Sequence, residues 1–153
     1  MRLYYDSGVL VKLYVREWLS DAVINFAEEQ ESPISFNPLQ ELEVRNALRL
    51  KRFRKEIKTD EHDRATKLIT ENLNDELLVR GFIEWPRALL EAETISRKMT
   101  GKVGSRTIDI IHLGIAEVGD VEGFVSLDDR QIRAAEATKL TIIDLREGLD
   151  VHF

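Results

Sequence analysis

The chain has no cysteine, few prolines and glycines, and no long hydrophobic run. The absence of cysteine excludes disulfide bonds, thiol nucleophiles and metal sites built on sulfur, and it fits a reducing compartment such as the cytoplasm. No apolar stretch approaches the roughly 20 residues that a membrane-spanning helix needs, so we expect no membrane contact. Only three prolines and eight glycines are present, which predicts short connections between elements.

Charge and length set two further limits. The 153 residues include 28 acidic and 22 basic side chains, for a net charge of −6. This balance disfavours a protein that coats nucleic acid by bulk electrostatics, but it allows an enzyme with a local basic patch. The length predicts a single domain over residues 1–153, which buries about 70% of its unfolded surface.

Short apolar runs alternate with helical patterns along the chain. Alternation of this kind predicts a Rossmann-like α/β fold with a mostly parallel, five-stranded sheet that is covered by helices on both faces. Sites in such sheets form at the carboxyl ends of the strands. The runs that predict strands are residues 2–6, 32–36, 81–85, 123–128 and 140–145.

Local signals mark the ends of the predicted helices. Ser20 and Thr59 are predicted N-caps, and Asn37-Pro38 predicts a cap followed by the first residue of a long amphipathic helix. Apolar spacing predicts that one face of this helix is buried. The residues of that face are Leu39, Leu42, Ala47, Leu50 and Phe53.

Proline and glycine mark the later boundaries. Pro86 is predicted to end the third strand, because proline cannot donate to a strand ladder. Gly101 and Gly119 are predicted to close the two helices that follow.

Four carboxylates fall where such a sheet forms its site. Asp6 and Asp128 end predicted strands, Glu43 lies on the helix after the second strand, and Asp109 lies among apolar residues early in a helix. Four acids that converge on one sheet edge repel one another and raise each other's pKa. A divalent cation relieves this repulsion, and all-oxygen ligands suit Mg²⁺ or Mn²⁺. Such a centre hydrolyses phosphodiesters.

Each acid also has a structural explanation when it is taken alone. Asp6 and Asp128 are suited to cap the helices that follow them. Glu43 has Arg45 or Arg49 as ion-pair partners on its own helix, and Asp109 is placed to interact with a helix dipole. The coincidence of four acids at predicted site positions is what favours the metal site.

Four further polar residues flank these acids. Ser7 and Ser126 are suited either to hold metal-coordinated water or to make turn hydrogen bonds. His112 lies one turn after Asp109, where it serves as a structural histidine, a metal ligand or a hydrogen-bond partner of that acid. Asp129 is positioned to share or exchange the role of its neighbour Asp128.

Residues 45–58 hold seven basic side chains against one acid, Glu56. Arg45, Arg49 and Arg52 are candidates for binding the phosphates of a nucleic acid, and Phe53 is suited to stack on a base. The alternatives are a solvated helix face with Phe53 in the core, or a surface that contacts a partner protein. The spread of the basic residues around the helix favours the solvated face.

Around the four acids the sequence resembles the PIN-domain nucleases, and in particular the VapC-type toxins of toxin–antitoxin pairs. The first motif of that family is a strand that ends in Asp followed by Ser or Thr, and its fourth is a strand followed by Ser/Thr-x-Asp. The second motif here places a Glu directly before VRNAL, and the third surrounds an Asp with apolar residues. The matching stretches are YYDSGVLVKLY, ELEVRNAL, RTIDIIHLGIA and FVSLDDRQIRAA.

This resemblance implies that Asp6, Glu43, Asp109 and Asp128 bind the metal and carry catalysis. It also implies a PIN-like α/β/α sandwich, Mg²⁺ or Mn²⁺ as cofactor, cleavage of RNA, a cytoplasmic homodimer and inhibition by a small antitoxin protein. Two non-enzymatic alternatives stay open, namely a PIN-like protein-binding module without catalysis and a receiver-like regulatory domain. The receiver-like alternative expects paired acids after the first strand, where only Asp6 is found.

Overall fold

A computed structural model describes residues 1–147 of the chain, which contain seven α-helices and five short β-strands in mixed order. The strands are β1 (Leu3–Tyr5), β2 (Ile34–Ser35), β3 (Leu78–Val79), β4 (Gly123–Val125) and β5 (Thr141–Ile143). The helices are α1 (Ser7–Val11), α2 (Ser20–Glu29), α3 (Pro38–Phe53), α4 (Thr59–Asn74), α5 (Trp85–Val103), α6 (Thr107–Val118) and α7 (Asp129–Ala134). None of the helices in this part of the chain combines the length and hydrophobicity that a bilayer span requires.

The strands form two sheets instead of the single five-stranded sheet that the sequence predicts. A three-stranded sheet has the order β1-β4-β5, and β4 runs parallel to β5 with Phe124 opposite Ile142. The second sheet pairs β2 with β3, also in parallel, with Ile34 opposite Leu78. The predicted α/β class with parallel strands is therefore confirmed, while the strands are divided between sheets of three and two.

The chain divides into two compact units. One is the continuous segment of residues 5–82, and the other combines residues 1–4 with the chain from Ile83 onward. Each unit has its own fully buried apolar side chains. In the continuous unit these include Val9, Leu10, Phe36, Leu48 and Ile69, and in the other unit Ile95, Leu113, Phe124 and Val125.

Helix α3 begins as the sequence predicts but buries a different face. The side chain of Asn37 accepts from the amide of Gln40, the side chain of Gln40 accepts from the amide of Asn37, and both contacts are 2.8 Å long. Gln40, Val44 and Leu48 form the buried face. The predicted face is wrong, because Leu42, Leu50 and Phe53 are exposed to 61%, 39% and 82%. Gln40 occupies a buried position where an apolar residue is expected, because its side-chain amide forms hydrogen bonds inside the protein.

The predicted third strand at residues 81–85 is wrong. Helix α5 begins at Trp85, with Pro86 in its first turn, where a missing amide hydrogen leaves no hydrogen bond unmade. The third strand is β3, which lies before the predicted run and not within it. Helix α4 ends before it through Glu76, which has a φ of 59°. The amide of Leu77 then donates to the carbonyl of Asn72, a closing pattern that usually uses glycine.

Three other predicted boundaries are also shifted. Ser20 is the first residue of α2 and not its cap, and its hydroxyl donates to the carbonyl of Val15 instead. Thr59 likewise follows the N-cap, which is Lys58. Helix α5 continues through Gly101 and ends at Gly104, whose φ of 69° is the left-handed conformation that closes helices.

Helix α6 ends at Gly119, as the sequence predicts, and packs closely against α5. The close approach occurs at Gly114. A Cβ atom there would overlap the carbonyl oxygen of Ala88 and lie 3.0 Å from the backbone nitrogen of Ala92. This contact seats the helix that carries Asp109.

Candidate functional site

Asp6 and Glu43 belong to the continuous unit and are connected through Ser7. Asp6 follows β1 and caps α1, where its carboxylate accepts from the backbone amide of Gly8 at 3.2 Å. The buried hydroxyl of Ser7, the next residue, donates to Glu43 Oε1 at 2.9 Å. The structure thus brings Glu43 to the residue that follows Asp6 in the chain.

A buried glutamine explains why Glu43 reaches this position. The side-chain amide of Gln40 donates to the carbonyl of Tyr5, the last residue of β1, at 2.7 Å. Glu43 lies three residues further along α3, about one helical turn away. This contact was not predicted from the sequence. The signal for Gln40 was its position three residues after the Asn37 cap, where glutamine completes a reciprocal capping pair.

Asp109 is nearly buried and has a cationic partner. It lies in the first turn of α6 with 6% of its surface exposed. Arg106 Nε lies 2.9 Å from Asp109 Oδ2, and Arg106 Nη2 lies 3.5 Å from Oδ1. The guanidinium therefore compensates the charge of this carboxylate, together with the positive end of the helix dipole. Arg106 was also missed, although a spacing of three residues on a helix brings such a pair together.

Asp128 is connected to Asp109 through Gln131. The carboxylate of Asp128 caps α7 by accepting from the backbone amide of Gln131 at 3.0 Å. The side-chain amide of Gln131 also donates to the backbone carbonyl of Asp109 at 3.4 Å. Ser126 completes the arrangement, because its hydroxyl donates to Gln131 Oε1 at 2.7 Å and accepts from the amide of Asp128 at 3.2 Å.

Asp129 belongs to a separate group of charges. Its carboxylate lies 2.6 Å from Arg146, which also binds Asp144 at 2.7 Å. Hydrogen bonds from Arg146 hold the pKa of Asp144 below its usual range, and burial opposes this shift. Asp144 directly follows β5, so it is an acid at a strand end that the sequence analysis did not single out.

His112 is buried and contacts Tyr4. Its Nδ1 lies 2.6 Å from the hydroxyl of Tyr4, and the ring of Tyr4 stacks on Phe124 with centroids 5.4 Å apart. The histidine therefore takes part in packing α6 near β1 and β4. This contact gives it a structural role on the same helix as Asp109.

The three arginines proposed to bind phosphates differ in whether they already form an ion pair. Arg45 pairs with Glu41 at 2.9 Å, and Arg80 holds the same carboxylate at 2.8 and 3.0 Å. Arg49 and Arg52 are exposed and have no ion-pair partner within residues 1–147. The alternative that places Phe53 in the core is wrong, since the ring is 82% exposed.

The predicted acids are thus related in two pairs only through other residues: Ser7, which follows Asp6, contacts Glu43, and Gln131 connects Asp128 to the backbone carbonyl of Asp109. Within residues 1–147, no group of three or more acidic or histidine side chains lies close enough to hold a metal ion. The donor chemistry of the pairs, with carboxylate oxygens and no sulfur, fits a hard cation such as Mg²⁺ or Mn²⁺.

Comparison with known proteins adds no relative. No protein-family model matches the chain, and no curated protein matches it either. The assignment of a function therefore depends on the residues and contacts of this chain.

Proposed function

We propose that this chain is a metal-dependent endoribonuclease that hydrolyses RNA phosphodiester bonds. The observation that carries the proposal is that the four motif acids are linked two by two through buried neutral side chains. Ser7 contacts Glu43 beside Asp6, and Gln131 connects Asp128 to the backbone of Asp109. Buried polar contacts that orient acids are typical of metal sites.

Asp6 and Asp109 are the principal metal ligands in this proposal, and Glu43 and Asp128 complete the set. A bound Mg²⁺ or Mn²⁺ would supply water activation and neutralisation of the phosphodiester charge. The four carboxylates would hold and orient that ion.

The neighbouring residues keep these carboxylates in place. Ser7 fixes the direction of Glu43 through its hydroxyl, and the backbone amide of Gln131 fixes Asp128. Ser126 in turn holds the side chain of Gln131. Side chains that are locked before the substrate binds do not have to be ordered during the reaction.

We further propose that the protein is a PIN-like toxin of a type II toxin–antitoxin pair. This includes the finer expectations of a PIN-like α/β/α sandwich, a homodimer, a small antitoxin partner and a cytoplasmic location. The support is the order and spacing of the four motifs around Asp6, Glu43, Asp109 and Asp128, together with the absence of cysteine.

A second candidate is a non-catalytic PIN-like or receiver-like regulatory module. It is favoured by a specific observation, namely that three of the acids already have structural roles. Asp6 and Asp128 cap helices, and Asp109 pairs with Arg106. A PIN-like protein-binding module that uses its acids only in this way needs no metal, whereas a receiver-like domain still binds one.

Conversion of the capping acids to asparagine separates the two candidates. Asparagine caps helices about as well as aspartate but does not supply a charged metal ligand. We expect Asp6→Asn and Asp128→Asn each to lower Mn²⁺-dependent cleavage of mixed-sequence RNA by about 1,000-fold or more. Their melting temperatures should stay within about 2 °C of the original chain.

Asp60→Asn is the matched control, because Asp60 is an exposed acid in the first turn of α4. It should leave cleavage unchanged. Added Mn²⁺ should raise the melting temperature of the original chain more than that of Asp6→Asn, since a ligand of the folded state stabilises it. Full activity of Asp6→Asn would refute the nuclease assignment. Absence of both cleavage and a metal-dependent shift would support the PIN-like protein-binding module.

A further inference from the structure

The turn between α3 and α4 has a strongly basic surface in a chain whose net charge is −6. The acid of this segment, Glu56, lies 3.6 Å from Lys51, which also pairs with Glu17 at 3.0 Å. The other basic side chains here are exposed and lack an ion-pair partner within the described part of the chain. They are Arg49, Arg52, Arg54, Lys55 and Lys58. Together with Phe53 they form what we name the α3–α4 tip.

The backbone of the α3–α4 tip is well defined. The amide of Glu56 donates to the carbonyl of Lys51 at 2.9 Å, and the amide of Lys55 donates to the carbonyl of Arg52 at 3.0 Å. This is the Schellman pattern, which closes a helix through one left-handed residue. That residue is Lys55, with a φ of 59°. The cations of the tip are therefore attached to an ordered turn.

Phe53 adds an aromatic ring to these cations. It is the last residue of α3 and is 82% exposed. Arg49 lies four residues before it and thus on the same helical face. An apolar ring in water forgoes the free energy that burial would provide, so a flat partner that covers it would gain this contribution.

We propose that the α3–α4 tip binds single-stranded RNA, with its cations on the phosphates and Phe53 stacked on an unpaired base. Phosphates match guanidinium and ammonium groups, and every unpaired base offers a flat face for stacking. A duplex hides those faces, and an acidic protein segment satisfies the cations without requiring the ring. The role of the tip as a substrate-holding surface rests on the proposed nuclease function, but binding itself needs no cleavage.

The charge contribution is tested with a labelled single-stranded RNA of about 16 nucleotides, by fluorescence anisotropy in EDTA. The test variant is Arg49→Gln/Arg52→Gln/Arg54→Gln. The control is Arg97→Gln/Lys98→Gln/Lys102→Gln on α5, where the side chains are also exposed and the same charge is removed. We expect the test variant to bind at least about 10-fold more weakly, with a salt dependence lower by about two units of slope. The control should stay within about twofold.

The stacking contribution is tested by Phe53→Ala, which should weaken single-strand binding by about 5- to 100-fold. Phe53→Trp should retain binding, and a duplex of the same length should bind Phe53→Ala as well as it binds the original chain. Phe82→Ala is the control, because Phe82 is 90% exposed and lies outside the tip.

The proposal is overturned if the original chain does not bind the single strand, or if the α3 and α5 variants lose affinity equally. It is also overturned if polyglutamate binds through the tip and RNA does not. RNA binding through the tip without any Mn²⁺-dependent cleavage would refute the nuclease function and support this surface. Cleavage that continues with binding unaffected by the tip variants would refute this surface alone.

Discussion

The two compact units use different interactions to hold the helices that carry candidate acids, α3 and α6. In residues 5–82, α3 is held by a hydrogen bond from Gln40 to the carbonyl of Tyr5. In the other unit, α6 is held by close packing, with Gly114 against the backbone at Ala92. A hydrogen bond depends on the chemistry of one donor and one acceptor. Close packing depends on the absence of a side chain, so it tolerates no added atom.

The charges of the acids are also treated differently. Glu43 accepts from the hydroxyl of Ser7, whereas Asp109 accepts from the guanidinium of Arg106. A hydroxyl orients a carboxylate and leaves its charge in place, while a guanidinium offsets part of that charge. Removal of the Ser7 hydroxyl should therefore leave Glu43 less well oriented, whereas removal of Arg106 should leave Asp109 without its cation.

The largest expected effect on stability concerns the packing of α6. Gly114→Ala should lower the free energy of unfolding by about 1–3 kcal/mol, because the added methyl group meets the backbone of α5. Gly101→Ala is the matched control. It lies within α5 with no atom within 4 Å of its would-be Cβ, and it should raise stability by about 0.5–1 kcal/mol. Urea denaturation measures both, and equal effects would refute the close-packing argument.

A smaller effect is expected from loss of the cation beside Asp109. Arg106→Gln should lower stability by about 1 kcal/mol, since the side chain of Arg106 is 65% exposed but the side chain of Asp109 only 8%. Addition of Asp109→Asn to this variant should recover most of the loss, because the uncompensated charge is then removed. Arg97→Gln breaks an exposed pair and should change stability by less than about 0.5 kcal/mol. A loss that persists in the double variant would show that the charge is not its cause.

The smallest expected effect is on the stability at acid pH and concerns Glu41. The hydrogen bond from Arg80 lowers the pKa of Glu41, burial opposes this, and Arg45 adds to the lowering. A lowered pKa means that the stabilisation is present above the unfolded value of about 4.3 and is lost as the pH falls through the folded value. Glu41→Gln should therefore reduce the stability difference between about pH 6 and pH 3 by less than about 1 kcal/mol. An unchanged difference in urea midpoints would contradict this.

The elements predicted correctly are those with local signals. Asn37-Pro38 at the start of α3 and Gly119 at the end of α6 are examples, because capping and helix closure depend on neighbouring residues. The ends of α3 and α4 carry no such signal, because Lys55 and Glu76 there adopt the left-handed conformation that usually marks a glycine. The strand prediction at residues 81–85 is wrong because an apolar, aromatic run before a proline occurs at the ends of strands and also at the starts of helices.

The candidate site was predictable only in part. The acids and the neighbouring serines were singled out from the sequence, but the contact of Ser7 with Glu43 was not predicted. Gln40 and Gln131 were not singled out, because the value of a buried amide depends on partners distant in the chain. The buried face of α3 was missed for the same reason, since apolar spacing alone does not anticipate a satisfied polar residue.

The position of the unit boundary has a consequence during synthesis. Residues 5–82 are continuous, so the partners within this unit are synthesised before the residues from Ile83 onward. Strand β1 instead joins a sheet whose other members are β4 and β5, more than a hundred residues later. Strand β1 is therefore synthesised long before its sheet partners, and its backbone groups stay unpaired until β4 has been made.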